Sequence, residues 1–238
     1  SAQIASLSPA FLTQAEASAM PPDAFDLVAI SPGIPVDLPL LEAARLADIP
    51  VVGEVELAAA YLKGPVMAIT GTNGKTTTTA LAGHLLKSAG IPVQVGGNIG
   101  TPVCDMIPAS ADDRWNVLEL SSFQLETTAQ FRAEIAVCLN VTPDHLDRHH
   151  TMETYVAQKR RLFETQAAGA HAVLNAADPI VASFAGASPA AAHFFALSAD
   201  APHEMELRGD DIVYRGERLL SRAAIPLVPH QCTSASSS

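Results

Sequence analysis

The sequence predicts an α/β fold: a mostly parallel sheet with flanking helices, a partial Rossmann-like unit at the N-terminal end, and a small antiparallel extension near the C-terminal end. Three observations carry this expectation. Short apolar runs alternate with helix-like segments for most of the chain, the order that builds parallel sheets through crossover helices. Several of these runs, such as "VMAIT" and "IAVCLNV", are continuously apolar, as strands covered on both faces are. After about Ala199 the pattern changes to "EMELRG-DDIVYRG-ERLL", short runs joined by turns that contain Gly and Asp.

Taken in order, "DLVAIS" (26–31) reads as a strand and "PLLEAARLAD" (39–48) as a helix with Leu41, Ala44 and Leu46 or Ala47 inward. "IPVV" and "EVELAAAYL" form a second strand and helix. "LKGP" at Leu62–Pro65 sets Gly beside Pro and marks a linker, so domains are expected at 1–64 and 65–230. "PVMAIT" (65–70) is the next strand. A glycine turn and a helix from about Lys75 to Ala89 follow, with Gly90 at its C-cap. "IPVQVG", "NVLELS" and "IAVCLNV" are three further buried strands, and "TMETYVAQKRRLF" (151–163) is a helix. The tail, 231–238, has the composition of a disordered segment.

With 238 residues, 48% of them hydrophobic, the chain can bury a real core. Its net charge of −11 argues against nucleic-acid binding. No apolar run reaches transmembrane length, and the first residues lack the order of a signal peptide. Cys104, Cys138 and Cys232 form neither a zinc pattern nor a disulfide framework, so a reducing cytoplasm is the expected home.

Chemistry concentrates in five places. In "GTNGKT", Gly71 and Gly74 let successive N–H groups converge on an anion, Lys75 can reach outer phosphates, and the Thr76 hydroxyl suits Mg²⁺. An ordinary glycine-rich connection with an exposed lysine is the bland alternative, and a phosphate loop would serve a kinase, GTPase, ATPase or ligase alike. "VGGNIG" (95–100) offers Asn98 beside glycines, as a ligand contact or an ordinary turn. Glu119 ends an apolar strand, where a carboxylate beside a phosphate loop can hold Mg²⁺ or orient water; Ser121 and Gln124 follow as neutral polar groups. "LNVTPDHLDRHH" (139–150) gathers acids and imidazoles, of which one could be a metal ligand. Lys159 falls on the apolar stripe of its helix with Tyr155 and Phe163. It either snorkels to solvent or is a functional lysine with a depressed pKa.

Together "SPGI" (31–34), "GTNGKTT" (71–77), "GGNIG" (96–100), "ELSSFQLE" (119–126), "LNVTPDHLDRH" (139–149) and Tyr155-x-x-x-Lys159 closely resemble the Mur ligase family, MurD type. They stand in family order from about Asp26 to about Pro229, and "SSFQLE" is the stretch that separates this type from its relatives. The resemblance implies a P-loop-type central domain and ATP-dependent amide formation through an acyl phosphate. The implied substrates are UDP-N-acetylmuramoyl-L-alanine, D-glutamate and ATP, for peptidoglycan precursors in the bacterial cytoplasm. It implies an ATP site at Gly71, Thr72, Asn73, Gly74, Lys75, Thr76 and Thr77. Thr76 and Glu119 would hold one Mg²⁺, and His145 and Lys159, the latter carbamylated by CO₂, a second. Asn98, Ser121, Gln124 and His145 would contact the UDP-muramoyl substrate, Ser31 and Gly33 would line the site of its UDP, and Lys75, Glu119, His145 and Lys159 would form the catalytic set. It further implies a monomer whose family counterparts continue at both ends. "IPLVPHQCTSASSS" departs from the family's G-x-H-N at Pro229 and Gln231, with only His230 matching, and the family's C-terminal ligase domain is missing. The chain alone is therefore expected to be inactive, and a nucleotide-binding remnant or regulatory module without ligase activity is the alternative.

Overall fold

The computed structural model describes residues 16, 20–21, 25–197 and 203–224. His230, Cys232 and the tail at 231–238 lie outside the described residues. A parallel pair, β1 (Val28–Ile30) and β2 (Val51–Gly53), is bridged by α1 (Pro39–Leu46). Pro39 starts that helix, where its missing N–H costs nothing. Leu41 and Ala44 are buried as the spacing predicts, but Leu46 is 82% exposed and Ala47 also faces solvent. The reason is local: the helix closes at Leu46, Asp48 takes a left-handed turn at φ 58°, and Ile49 fills the inward place instead.

The next helix, α2 (Glu54–Ala59), sends Val55 and Ala58 into the main core. The carboxylate of Glu56 accepts the amides of Ala129, Gln130 and Phe131 at 2.9, 2.8 and 3.0 Å. The stretch at Leu62–Pro65 is likewise tied down, since buried Asn116 donates to the carbonyls of Lys63 and Pro65.

The large sheet has, among the described residues, nine strands in the order β11-β10-β9-β8-β7-β6-β3-β5-β4. They are β3 (Val66–Thr70), β4 (Val93–Gly97), β5 (Trp115–Glu119), β6 (Ile135–Cys138), β7 (His171–Asn175), β8 (Ala191–Ala196), β9 (Met205–Arg208), β10 (Asp211–Tyr214) and β11 (Glu217–Ser221). Strands β3 to β8 pair in parallel, and β9 continues parallel on β8. From β9 the chain turns into the expected antiparallel extension through β10 and β11.

Period-two alternation in β3 feeds two cores. Val66 and Ala68 face a core with Leu118, Ala136, Tyr155, Leu162 and Phe163, while Ile69 faces the other side with Val117 and Val137. That second face is covered by α3 (Lys75–Ser88) over β3, β5 and β4. Over β6 to β8 the same face leaves an open apolar groove of about 590 Å³. "IPVQVG" differs from a buried strand: β4 is the sheet edge, and only Gly96 in it is buried. Short α4 (Val103–Met106) and α5 (Ser122–Leu125) follow β4 and β5, and α6 (Leu146–His149) precedes α7 (Met152–Glu164). Thr151 caps α7 by accepting the Thr154 amide, and the buried stripe is Tyr155, Lys159, Leu162 and Phe163. Among the described residues no helix is long and apolar enough to cross a membrane.

The order positions the site. The chain runs from β3 to β4 and β5 on one side, then crosses to β6 on the other. The loops leaving β3, β5 and β6 therefore diverge at the same strand ends, where open α/β sheets bind ligands.

Candidate active site

The phosphate-loop candidate leaves β3 at Thr70. Gly71 (φ 148°) and Gly74 (φ 82°) take left-side angles that an L side chain resists. The first helical bond of α3 runs from the Thr78 amide to the Gly74 carbonyl. The amides of Gly74, Lys75, Thr76 and Thr77 carry no hydrogen bond among the described residues, as expected at a helix start. Lys75 folds back, its Nζ donating to the carbonyls of Gly71 and Thr72 at 3.0 and 2.9 Å.

Glu119 ends β5 beside this loop and is 2% exposed. Its Oε2 accepts the Thr76 hydroxyl at 2.9 Å and its Oε1 the Asn98 side-chain amide at 2.9 Å. Asn98 reaches it because Gly97 lets β4 close onto β5. A Cβ on Gly97 would stand 2.3 Å from the Glu119 carbonyl oxygen, and the Asn98 amide donates to that same oxygen at 2.8 Å. "VGGNIG" is thus a close approach of two strand ends. No ion pair reaches Glu119 among the described residues, so a buried carboxylate is met only by neutral donors. That is costly without a cation, and hydroxyl plus carboxylate is the hard oxygen set that Mg²⁺ takes. The residues present fit the ion.

Lys159 lies under the loop. It is 1% exposed, its Nζ donates to the Gly71 carbonyl at 2.8 Å, and it sits 4.7 Å from the centre of the Tyr155 ring. It does not snorkel. Burial, together with the charge of Lys75, draws its pKa down to about 8.

The imidazoles divide. His145 caps α6 in a left-handed conformation at φ 51°, half exposed, with its Nε2 3.5 Å from Asp144 Oδ2 and its ring 5.0 Å from that of Phe123. It makes no hydrogen bond to Glu119 or Lys159 among the described residues. His149 is buried, 2.9 Å from the Ser122 hydroxyl, and packs against Phe123 and Tyr155; burial lowers its pKa. Ser121 and Gln124 engage each other in the capping box that starts α5. Ser31 and Gly33 lie in an exposed turn closed by the Ile34 amide on the Ser31 carbonyl at 2.9 Å.

Arg148 and Asn140 carry no signal of their own beyond lying in "LNVTPDHLDRHH", yet both hold the site's loops. Arg148 donates to the Ile34 carbonyl at 2.8 Å, pairs with Glu126 at 3.2 Å and stacks 5.0 Å from the Phe123 ring. It ties the 31–34 turn to the segment of His145. The structure therefore joins Gly71, Lys75 and Lys159 in one cluster and Thr76, Asn98 and Glu119 in a second, with the loop shared. His145 and the 31–34 turn make no hydrogen bond to either cluster among the described residues, and Arg148 links the turn to the segment of His145.

The Mur ligase middle domain family matches residues 69–224. A UDP-N-acetylmuramoylalanine–D-glutamate ligase of Solibacter usitatus (strain Ellin6076) is 54% identical over 205 residues, covering 86% of this chain and 46% of that protein. Its counterpart in Koribacter versatilis (strain Ellin345) is 50% identical over 196 residues, 81% of this chain and 43% of that one. The chain spans less than half the length of these curated relatives. Among solved structures, UDP-N-acetylmuramate:L-alanyl-gamma-D-glutamyl-meso-diaminopimelate ligase from Neisseria meningitides aligns with a TM-score of 0.57 at 18% identity, over 81% of this chain and 66% of that one. MurF from Acinetobacter baumannii aligns with a TM-score of 0.51 at 19% identity, over 76% and 41%. At such identities the structures speak for a shared fold. With its middle domain matched across residues 69–224, the chain belongs to the Mur ligase family.

Proposed function

We propose that this chain carries the nucleotide-binding and carboxylate-activating part of an ATP-dependent amide ligase. The reaction joins D-glutamate to UDP-N-acetylmuramoyl-L-alanine for peptidoglycan precursors, in the bacterial cytoplasm, and the protein acts as a monomer. The observation that carries this is the pair of buried charges around one glycine loop, Glu119 and Lys159. Both are costly to bury, and neither has an ion-pair partner among the described residues. The names of the relatives support the substrate pair.

In the proposed reaction a substrate carboxylate oxygen attacks the γ-phosphorus of ATP, and ADP leaves. The amine of D-glutamate then attacks the acyl carbon, loses a proton, and phosphate leaves. Lys75 would turn from the Gly71 and Thr72 carbonyls to the outer phosphates, offsetting charge where two anions meet. The open amides of Gly74 to Thr77 would hold the phosphates at the helix start. Thr76 and Glu119 would hold one Mg²⁺ and His145 with Lys159 a second, supplying charge neutralisation between carboxylate and γ-phosphate. The lowered pKa of Lys159 leaves more neutral amine, which can add to CO₂ and release a proton to give a carbamate. Asn98, Ser121 and Gln124, with the turn of Ser31 and Gly33, would line the muramoyl substrate's path. A nucleotide-binding module without ligase chemistry would use the loop equally, but would have no use for Lys159.

Calorimetric titration of Mg·ATP into the chain and into Lys75→Ala tests the reading. Binding by the wild type that the variant loses is expected. A folded wild type, checked by circular dichroism, that does not bind refutes the nucleotide site.

A further inference from the structure

Thr72 and Asn73 lie in the loop whose later amides face the proposed phosphates, yet their own N–H groups turn away. The Thr72 amide donates to the Asn140 carbonyl at 2.9 Å and to Asn140 Oδ1 at 3.1 Å. The Asn73 amide donates to the same Oδ1 at 2.8 Å, and Asn140 Nδ2 donates back to the Asn73 carbonyl at 3.1 Å. One side-chain amide thus satisfies two amides and a carbonyl of the loop. Only a group with an acceptor and a donor side by side can do so, which aspartate and leucine cannot.

The Thr72 hydroxyl is held too, by the Thr142 carbonyl and amide at 3.1 and 3.0 Å and by the Tyr155 hydroxyl at 3.0 Å. Asn140 itself is rigidly based. It follows β6, whose end is pinned to β3 by the Leu139 amide on the Thr70 carbonyl at 3.1 Å. Asn175 donates to the Leu139 carbonyl at 2.9 Å, a bond at the same strand end that reaches neither the Asn140 side chain nor the loop.

The loop is therefore divided. The amides of Thr72 and Asn73 are spent on an anchor, and the next four, Gly74 to Thr77, are left open. Fixing one half in place lowers the ordering cost when an anion meets the other half. We propose that Asn140 is a positioning residue for the nucleotide: it holds the Thr72–Asn73 half of the loop so that the amides of residues 74–77 face the phosphates before the ligand arrives. This rests on the phosphate-loop assignment above, and Asn140 acts through the loop rather than on the ligand.

The test compares the wild-type chain with Asn140→Ala, Asn140→Asp, Asn175→Ala and Lys75→Ala. Two quantities are read: Mg·ATP affinity by calorimetry, and hydrogen exchange at the Thr72 and Asn73 amides without ligand. Losing two to three hydrogen bonds should weaken Mg·ATP binding by about 10- to 100-fold in Asn140→Ala. Exchange at the Asn73 amide, which loses its acceptor, should rise by a similar factor, and at Thr72, which keeps the Asn140 backbone carbonyl, by less. Asn175→Ala removes a bond at the same strand end without touching the loop, and should keep both quantities near wild type. A general loss of stability would not produce that split. If Asn140→Ala does not fold by circular dichroism, Asn140→Asp decides. Its second oxygen would face the Asn73 carbonyl where a donor stood, so affinity and Asn73 protection should both fall. Wild-type affinity in the folded Asn140 variant, with Lys75→Ala unable to bind, overturns this proposal alone. A wild type that does not bind, or a Lys75→Ala that binds normally, overturns the phosphate-loop assignment and this proposal with it.

Discussion

Replacing Lys159 with Met should stabilise the fold while removing a group that the proposed chemistry needs. The amine is 1% exposed and its pKa falls from 10.5 to about 8. A shift of that size corresponds to about 3 kcal/mol of penalty on the charged form. Below pH 8 the folded and unfolded chains both carry the proton, so the penalty is present in full. Between about pH 8 and 10.5 the folded state releases the proton first, the unfolded state binds more protons, and stability rises with pH. Methionine fills nearly the same volume without a charge. It gives up one hydrogen bond, worth about 1 kcal/mol, and the Gly71 carbonyl keeps its bond from Lys75 at 3.0 Å. Lys159→Met should therefore be more stable than wild type by about 2 kcal/mol at pH 7, raising the midpoint by about 4–8 °C for a chain of this size. The advantage should shrink towards pH 10.5. Urea unfolding followed by circular dichroism, in buffer stripped of CO₂, measures both. A variant less stable than wild type at pH 7, or an advantage independent of pH, would refute a lysine buried at a cost.

Glu119→Gln should leave the melting temperature unchanged or higher, because a buried charge without an ion pair is removed, while Mg²⁺-dependent ATP binding is lost; a melt and a calorimetric titration on one sample decide it. His149 has a pKa lowered by burial, so the unfolded chain takes up its proton before the folded one as pH falls. Stability should then drop as pH falls below about 6.5, and His149→Phe should flatten that slope between pH 7 and 5 in urea titrations. Gly97→Ala places a methyl 2.3 Å from the Glu119 carbonyl oxygen at a φ of 103°, and should cost about 2–4 kcal/mol in unfolding experiments. An unchanged midpoint would mean that β4 and β5 do not close as described.

What was legible in the sequence followed periodicity. Lys159 stands four residues from Tyr155 and four from Phe163, so its place on the apolar stripe can be counted off. That it stays buried instead of snorkelling depends on the Gly71 carbonyl, which lies 88 residues away and gives no local signal. The strands β3, β5 and β6 announce themselves as unbroken apolar runs. By contrast, "HAVLN" and "AAHFFA" became β7 and β8 without that signal, since histidine and alanine dilute their apolar character. Leu46 misled because periodicity cannot say where a helix stops. Glu56, Asn140 and Arg148 were invisible for the same reason as the Lys159 contact. Each acts on backbone groups far away in the chain, on residues 129–131, 72–73 and 34, and no local pattern encodes which carbonyl or amide a fold will bring near.

The same distinction explains how the site is kept in the absence of ligand. The side chains of Lys75, Thr76 and Lys159, assigned to phosphate or metal, are each held by a protein partner that a ligand would have to replace or share, while the amides of Gly74 to Thr77 stand open. Lys75 rests on two carbonyls of its own loop, Thr76 rests on Glu119, and Lys159 rests on Gly71. The scaffold around them is held differently: Asn140 binds the loop, and Gly97 lies close against β5. The first set can be exchanged for a phosphate or a cation at little cost, because each bond lost is replaced by a stronger, charge-assisted one. The second set acts on backbone of the loop and the strand ends, which no ligand group is assigned to replace. Mutations at Lys75 and Thr76 should therefore change binding with little effect on the melt, and mutations in the second set should change both.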